Sequence, residues 1–261
     1  MSEKITAANL DTVIQKNKEI NSEVMQCVRT IETKYNPMGM NSNALLSFQI
    51  LREEGLIQLP IENPHWCGAI FVRDEKRIPV INTARPRVNQ YFSAWHEVYH
   101  LYFDKVSFDH VIDFECILEE RKAEYFASKM LLGNLLSFYN SLDDVDFIQK
   151  ICQCMSVFEA PYKAVLISLY ESALDNNNKK LCEDIKKNFD FSQDKLVSVF
   201  QESGLDDVLV KPSNTVSFGK LNSIISSKIE ENPDLNYHKD NQEYLKTIFQ
   251  KISVLKDNNN D

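Results

Sequence analysis

The 261-residue sequence has no run of about 18 apolar residues, the length a helix needs to cross a bilayer, and Met1 to Thr12 lack the apolar stretch of a secretory leader. A cytoplasmic protein with no membrane partner is therefore expected. Basic residues are outnumbered, 29 Lys and Arg against 38 Asp and Glu, and no Lys/Arg cluster is interleaved with aromatics. A chain with a net charge of −9 lacks the basic face that neutralises phosphates, so direct nucleic-acid binding is not expected. The six cysteines (Cys27, Cys67, Cys116, Cys152, Cys154 and Cys182) follow no framework spacing, and a reducing cytosol keeps them as thiols. Even the closest pair, Cys152 and Cys154, points apart on a helix, which argues against a second metal site. No repeat of 20 to 50 residues is visible.

What is present is His96-Glu97-Val98-Tyr99-His100. On a helix, positions i and i+4 share one face with Cβ atoms roughly 5 to 6 Å apart, so both imidazoles can reach a single ion at about 2 Å. Glu97 then stands beside the ion, where an activated water needs a base. The flanking Val88, Tyr91, Phe92, Ala94, Trp95, Val98, Tyr99, Leu101, Tyr102 and Phe103 are dense in apolar types, and neither Gly nor Pro occurs between Val88 and Lys105. A buried helix is predicted.

With 43% apolar and 26% charged residues, the chain has enough material for one substantial core and an appendage. Apolar residues at three- and four-residue intervals (Ile5, Leu10, Val13, Ile14, Ile20, Val24, Val28 and Ile31) predict one amphipathic helix to about Tyr35, so residues 1–40 are assigned to an N-terminal helix. Asn36-Pro37-Met38-Gly39 breaks it, and Asn41 or Ser42 can cap a second helix ending at Gly55. Pro60 and Pro64 mark an irregular connector, after which Ala69 to Val72 and Ile78 to Asn82 predict a hairpin or a pair of adjacent strands. Beyond the motif a loop is expected from Asp104 to Phe114, then a helix to Leu132 and helical segments from Asp144 to Leu174 interrupted near Pro161. The polar run Asp175 to Lys180 separates a domain over residues 41–175 from a helical region over 181–255, and 256–261 is expected to be a disordered tail. The class is α+β, predominantly helical, with a small sheet and a C-terminal helical appendage.

Two histidines are not a complete hydrolytic site, which keeps three protein ligands and one open position. A metzincin would have Gly at position 103 and His at position 106, but Phe103 and Val106 stand there. His110 is read as a loop histidine near the cleft. The helix bearing Glu115, Glu119, Glu120 and Glu124 is the better source, with Cys116, Ala123, Phe126, Ala127, Met130 and Leu131 on its buried face. Glu119 and Glu120 flank that face about equally, and periodicity alone does not choose between them.

Phe92-Ser93-Ala94-Trp95-His96-Glu97-Val98-Tyr99-His100 and the later run from Glu120 through Ala123, Phe126, Ala127 and Met130 to Leu132 resemble the two metal motifs of the ImmA/IrrE metallopeptidases. Ile78 to Asn82 is similar to the strand that precedes the first motif, and Met155 to Leu169 to the segment that closes that domain, so the resemblance spans about residues 40 to 175. It implies a zincin-like core, Zn2+ held by His96, His100 and Glu120, and Glu97 as the base; the choice between the two glutamates comes from the resemblance. The chain departs from the family pattern at Tyr99 (usually Gly), Glu124 (Asn or Asp) and Gly133 (often Pro). The implied activity is hydrolysis of a peptide bond in a protein substrate, a helix-turn-helix repressor whose cleavage relieves repression of a mobile element or stress genes. Tyr91, Tyr99, Tyr102, Tyr125, Tyr162 and His110 are candidates for stabilising the oxyanion, and Tyr99, Tyr102 and His110 are singled out as possible oxyanion or substrate contacts. The competing expectation is a silent zincin-like binding module that regulates a partner by holding it.

Overall fold

A computed structural model describes residues 5–35, 43–73, 76–104, 114–143 and 145–258. The chain is α+β and mostly helical, with one small sheet.

Helix α1 (Leu10–Tyr35) buries Leu10, Val13, Ile14, Ile20, Val24, Val28 and Ile31, the same positions whose spacing predicts it. The regular helix starts later than Ile5 because an i to i+3 bond from Asn9 N–H to Thr6 O closes a tight turn first. Helix α2 (Asn43–Glu53) follows and ends at Gly55, whose φ of 86° is left-handed.

Three strands come next: β1 (Ile57–Leu59), β2 (Gly68–Arg73) and β3 (Lys76–Asn82). The spatial order is β1-β3-β2, with β1 parallel and β2 antiparallel to β3. The predicted hairpin is β2–β3. Strand β1 lies between Gly55 and Pro60, where the sequence predicts no strand; three residues are too few to show a period, and the strand pairs along the parallel edge that β3 offers. The register places Gly68 opposite Ile81 and Val72 opposite Arg77, so these residues share the sheet face that meets the motif helix.

That helix, α3 (Arg87–Tyr102), packs on the sheet and is flanked by α2 and by α4 (Phe114–Leu131). Trp95, fully buried, donates its Nε1–H to Asn43 O at 3.1 Å and sets its ring edge-on to Phe126 of α4, 6.0 Å between centroids. One side chain thereby ties α2, α3 and α4 together. Arg77 of β3 secures the other end of α3 by donating through Nη1 to the carbonyl oxygens of His100, Leu101 and Asp104 at 3.3, 3.0 and 3.1 Å. The first two are carbonyls that a helix C-terminus leaves without partners, and a cation there suits the helix dipole.

A short helix α5 (Leu135–Asn140) leads to α6 (Phe147–Phe158), which opens with a capping box between Asp146 and Gln149. Glu159, in the left-handed region, and Pro161 separate α6 from α7 (Tyr162–Asp175), as the sequence predicts. Asn178 caps α8 (Lys179–Asn188), making the polar run at 175–180 a tight turn between packed helices. After α9 (Gln193–Glu202) and a 3-10 turn (Asp207–Val210), one cluster of buried side chains has run from Leu10 to Val210. Residues 211–217 then pass beside the sheet, bridging Pro212 to Pro86 and Ser217 to Gln58 in antiparallel sense. Helices α10 (Leu221–Glu231) and α11 (Tyr237–Asn258) pack against each other at the end. Among the described residues no helix is long and apolar enough to cross a membrane.

Trp95→Ala is expected to destabilise the fold by about 3–5 kcal/mol in urea denaturation. A loss below about 1 kcal/mol would show that the α2–α3–α4 junction is not packed as described.

Candidate metal centre

On α3, His96 and His100 point Nε2 atoms at a common spot, 3.0 Å apart. Glu120 comes to the same spot from α4, with Oε2 3.3 Å from His96 Nε2 and Oε1 3.5 Å from His100 Nε2. Among the described residues these three form the group able to hold a metal ion, one ligand atom from each. A tetrahedral ion with bonds of 2.0–2.1 Å has ligand atoms about 3.3 Å apart along each edge, and one atom from each of the three residues lies within 4.8 Å of the others, so the donors are gathered at the scale of such an ion.

The protonation chemistry points the same way. His100 Nδ1 lies 2.8 Å from Asp104 Oδ2, and as an N–H donor to that carboxylate it leaves Nε2 as a lone pair. Two imidazole nitrogens at 3.0 Å cannot both present lone pairs unless positive charge, a proton or a cation, lies with them. For His100, burial and then the charge of His96 lower the pKa. For His96, burial works against the charged form, but the Glu120 hydrogen bond and the charges of Glu97, Glu120 and Glu124 outweigh it and raise the pKa. Burial would raise Glu120, yet its bond to His96 and the two imidazole charges hold it low, so it is an anion. The centre is a place prepared for positive charge. Glu120 is 49% exposed while His100 is 9% exposed, so the group opens to solvent on the α4 side.

Glu97 lies one residue on from His96 and is 4% exposed. Its carboxylate makes no hydrogen bond among the described residues; burial pushes its pKa up to about 7 against the pull of His96, with Glu120 adding to the rise. The group rests against the start of β2, because a Cβ added to Gly68 would sit 2.8 Å from Glu97 Oε1, 3.0 Å from Val80 O and 3.1 Å from Ile81 Cδ1. A side chain there would crowd Glu97 and the backbone of β3.

The two glutamates left open by periodicity part company. Glu120 joins the histidines, whereas Glu119 accepts from Tyr99 Oη and from Lys122 Nζ, each at 2.7 Å. Glu124 is held by Arg121 at 2.7 Å. Tyr99 is 1% exposed with its hydroxyl given to Glu119, and Tyr102 shares its hydroxyl with Tyr35 at 3.0 Å and reaches Glu54 at 3.4 Å. Tyr125 and Tyr162 donate to Glu171 and Asn188 O. None of these four hydroxyls is hydrogen-bonded to His96, His100 or Glu120. His110 lies outside the described residues.

Sequence reasoning missed Asp104, Gly68 and Arg77. A signal existed for Asp104, since 96, 100 and 104 continue one i+4 row. Gly68 and Arg77 act across the sheet, and nothing local marks them.

Compared with family models, curated proteins and solved structures, the chain matches none.

Two outcomes follow from this geometry. Asp104→Ala frees the His100 ring and, if the group holds a divalent ion, should weaken that binding by about 10- to 100-fold in chelator competition with zinc as the probe. In the metal-free protein, a carboxyl whose pKa is raised by folding favours the fold while protonated; that contribution is complete below about 4.5 and is lost as the pH rises through about 7. Metal-free Glu97→Gln should accordingly be more stable than wild type at pH 8, by on the order of 2 kcal/mol, with the gap closing towards pH 4.5. Parallel denaturation profiles at the two pH values would contradict the burial of Glu97.

Proposed function

We propose that the protein is a zinc-dependent endopeptidase with a zincin-like core, of the ImmA/IrrE type that its two motifs resemble. The observation that carries the reading is the convergence of His96, His100 and Glu120, with the two Nε2 atoms 3.0 Å apart and each within 3.5 Å of a Glu120 oxygen, and with Glu97 on the helix of the two histidines. Zinc is the ion that suits two imidazoles and one carboxylate with a position open.

When bound there, the ion supplies Lewis acidity, lowering the pKa of water and polarising a carbonyl oxygen. The chain does the rest. Glu97, whose pKa in the metal-free site is about 7, takes a proton from water and returns it to the leaving amine, and the desolvated setting favours that exchange near neutral pH. Beside a bound cation the Glu97 carboxylate would titrate lower and stand ready as the base. Asp104 holds His100 in the ligating tautomer. Strand β2 pairs on one side with β3, and among the described residues its other side has no strand. An extended peptide laid along that edge would take backbone hydrogen bonds and pass the Gly68–Glu97 contact.

The substrate we propose is a helix-turn-helix repressor, on the strength of the family resemblance. The charge of −9 suits a basic DNA-binding partner and guides the encounter more than it selects the bond.

Incubation with a helix-turn-helix regulator encoded beside it, with zinc and with chelator, should give one new pair of fragments by mass spectrometry that the chelator abolishes. Glu97→Gln should keep its zinc and lose cleavage by at least about 100-fold. A Glu97→Gln protein that still relieves repression in cells would favour the binding module over the enzyme.

A further inference from the structure

We propose that Tyr99, Glu119 and Lys122 form a positioning network that sets the register of α4 against α3 and so places Glu120 within reach of the two imidazoles. This rests on the metal-site reading and concerns how that site is held. Two adjacent rungs join the helices. One is His100 to Glu120 at 3.5 Å, which meets at the candidate ion position; the other, one residue back on each helix, is Tyr99 Oη donating to Glu119 Oε2 at 2.7 Å.

The rungs differ in what holds them. Glu120 is 49% exposed, and its described side-chain contacts are the imidazoles themselves, so the neighbouring backbone must be held by something else. Tyr99 is fixed on all sides: its ring packs 5.7 Å from both Phe126 and Phe103 and edge-on to His100 at 5.8 Å. Lys122, 7% exposed, then donates through Nζ to Glu119 Oε1 and to Glu23 Oε1, both at 2.7 Å, which extends the tie from α4 to α1. A buried ammonium needs both carboxylates, and Glu119 needs both donors. The directions of Tyr99, Glu119 and Lys122 are thereby interlocked: a shift of α4 along α3 would break the charge-assisted Tyr99–Glu119 bond, and the Lys122–Glu23 bond resists a shift of α4 against α1. A metal site tolerates displacement of only about 0.5 Å in its ligands, so a rung of this stiffness beside Glu120 matters for binding as well as for stability. Tyr99 also explains a departure from the resembled pattern: the position usually held by Gly here carries the hydroxyl that grips α4.

The test compares full-length Tyr99→Phe and Lys122→Met with Tyr102→Phe. The last deletes the same oxygen one turn along α3 from a hydroxyl bonded to Tyr35 and Glu54, away from α4. Zinc affinity is read by chelator competition and ligand geometry by the visible absorption of bound cobalt(II). Tyr99→Phe should weaken zinc by about tenfold and Lys122→Met by about 10- to 100-fold, both with a changed cobalt spectrum, while Tyr102→Phe stays within about twofold of wild type with an unchanged spectrum. Lys122→Arg, which can still bridge two carboxylates, should recover part of the loss. Wild-type affinity and spectrum in Tyr99→Phe would overturn the network while leaving the metal site standing. Failure of the wild-type protein itself to bind either ion would overturn the metal site and this inference with it.

Discussion

The packing of α3 against α4 is the constraint on which the site depends. A helix can present two imidazoles on one face by itself, but a third ligand has to come from elsewhere, at a depth and angle that only tertiary contacts determine. Here the contact is an aromatic and apolar seam, Trp95, Tyr99 and Phe103 against Phe126, with the polar atoms of Tyr99 and Trp95 satisfied at its margins. Glu120 and its bonds to the imidazoles stand at the solvent edge of that seam.

Around this seam the molecule puts its polar groups to distinct uses. Asp104 aims a ring, Arg77 ends the helix that carries it, and Gly68 makes room for Glu97 at the root of β2. Each of these lies on a different element, and α3 touches all of them. The sheet is small; it backs α3 and brings the start of β2 beside Glu97. Burying a carboxylate without a donor costs stability, and the surrounding core, continuous from Leu10 to Val210, offsets that cost.

Much of this was legible in the residues themselves. The long apolar period of α1, the Gly-free and Pro-free stretch of α3, the β2–β3 hairpin and the Pro161 break all express local patterns strong enough to survive folding. Strand β1 and the 211–217 segment were not legible, because both owe their extended form to a neighbour's edge and not to their own composition. At the site, His96, Glu97 and His100 follow from spacing on one helix. The choice between Glu119 and Glu120 does not, since both flank the buried face of α4; Tyr99 decides it by occupying Glu119. The tyrosines near the motif looked equally available in sequence, yet burial and partners commit their hydroxyls elsewhere.

The central claim is that two helices deliver three ligands to one ion, and metal stoichiometry tests it most directly. Purified wild-type protein titrated with zinc and measured by elemental analysis should bind one ion per chain, while His100→Ala and Glu120→Ala should each lose that ion at low micromolar zinc. A wild-type protein without a tight equivalent, or a Glu120→Ala protein that retains one as firmly as wild type, would contradict the account.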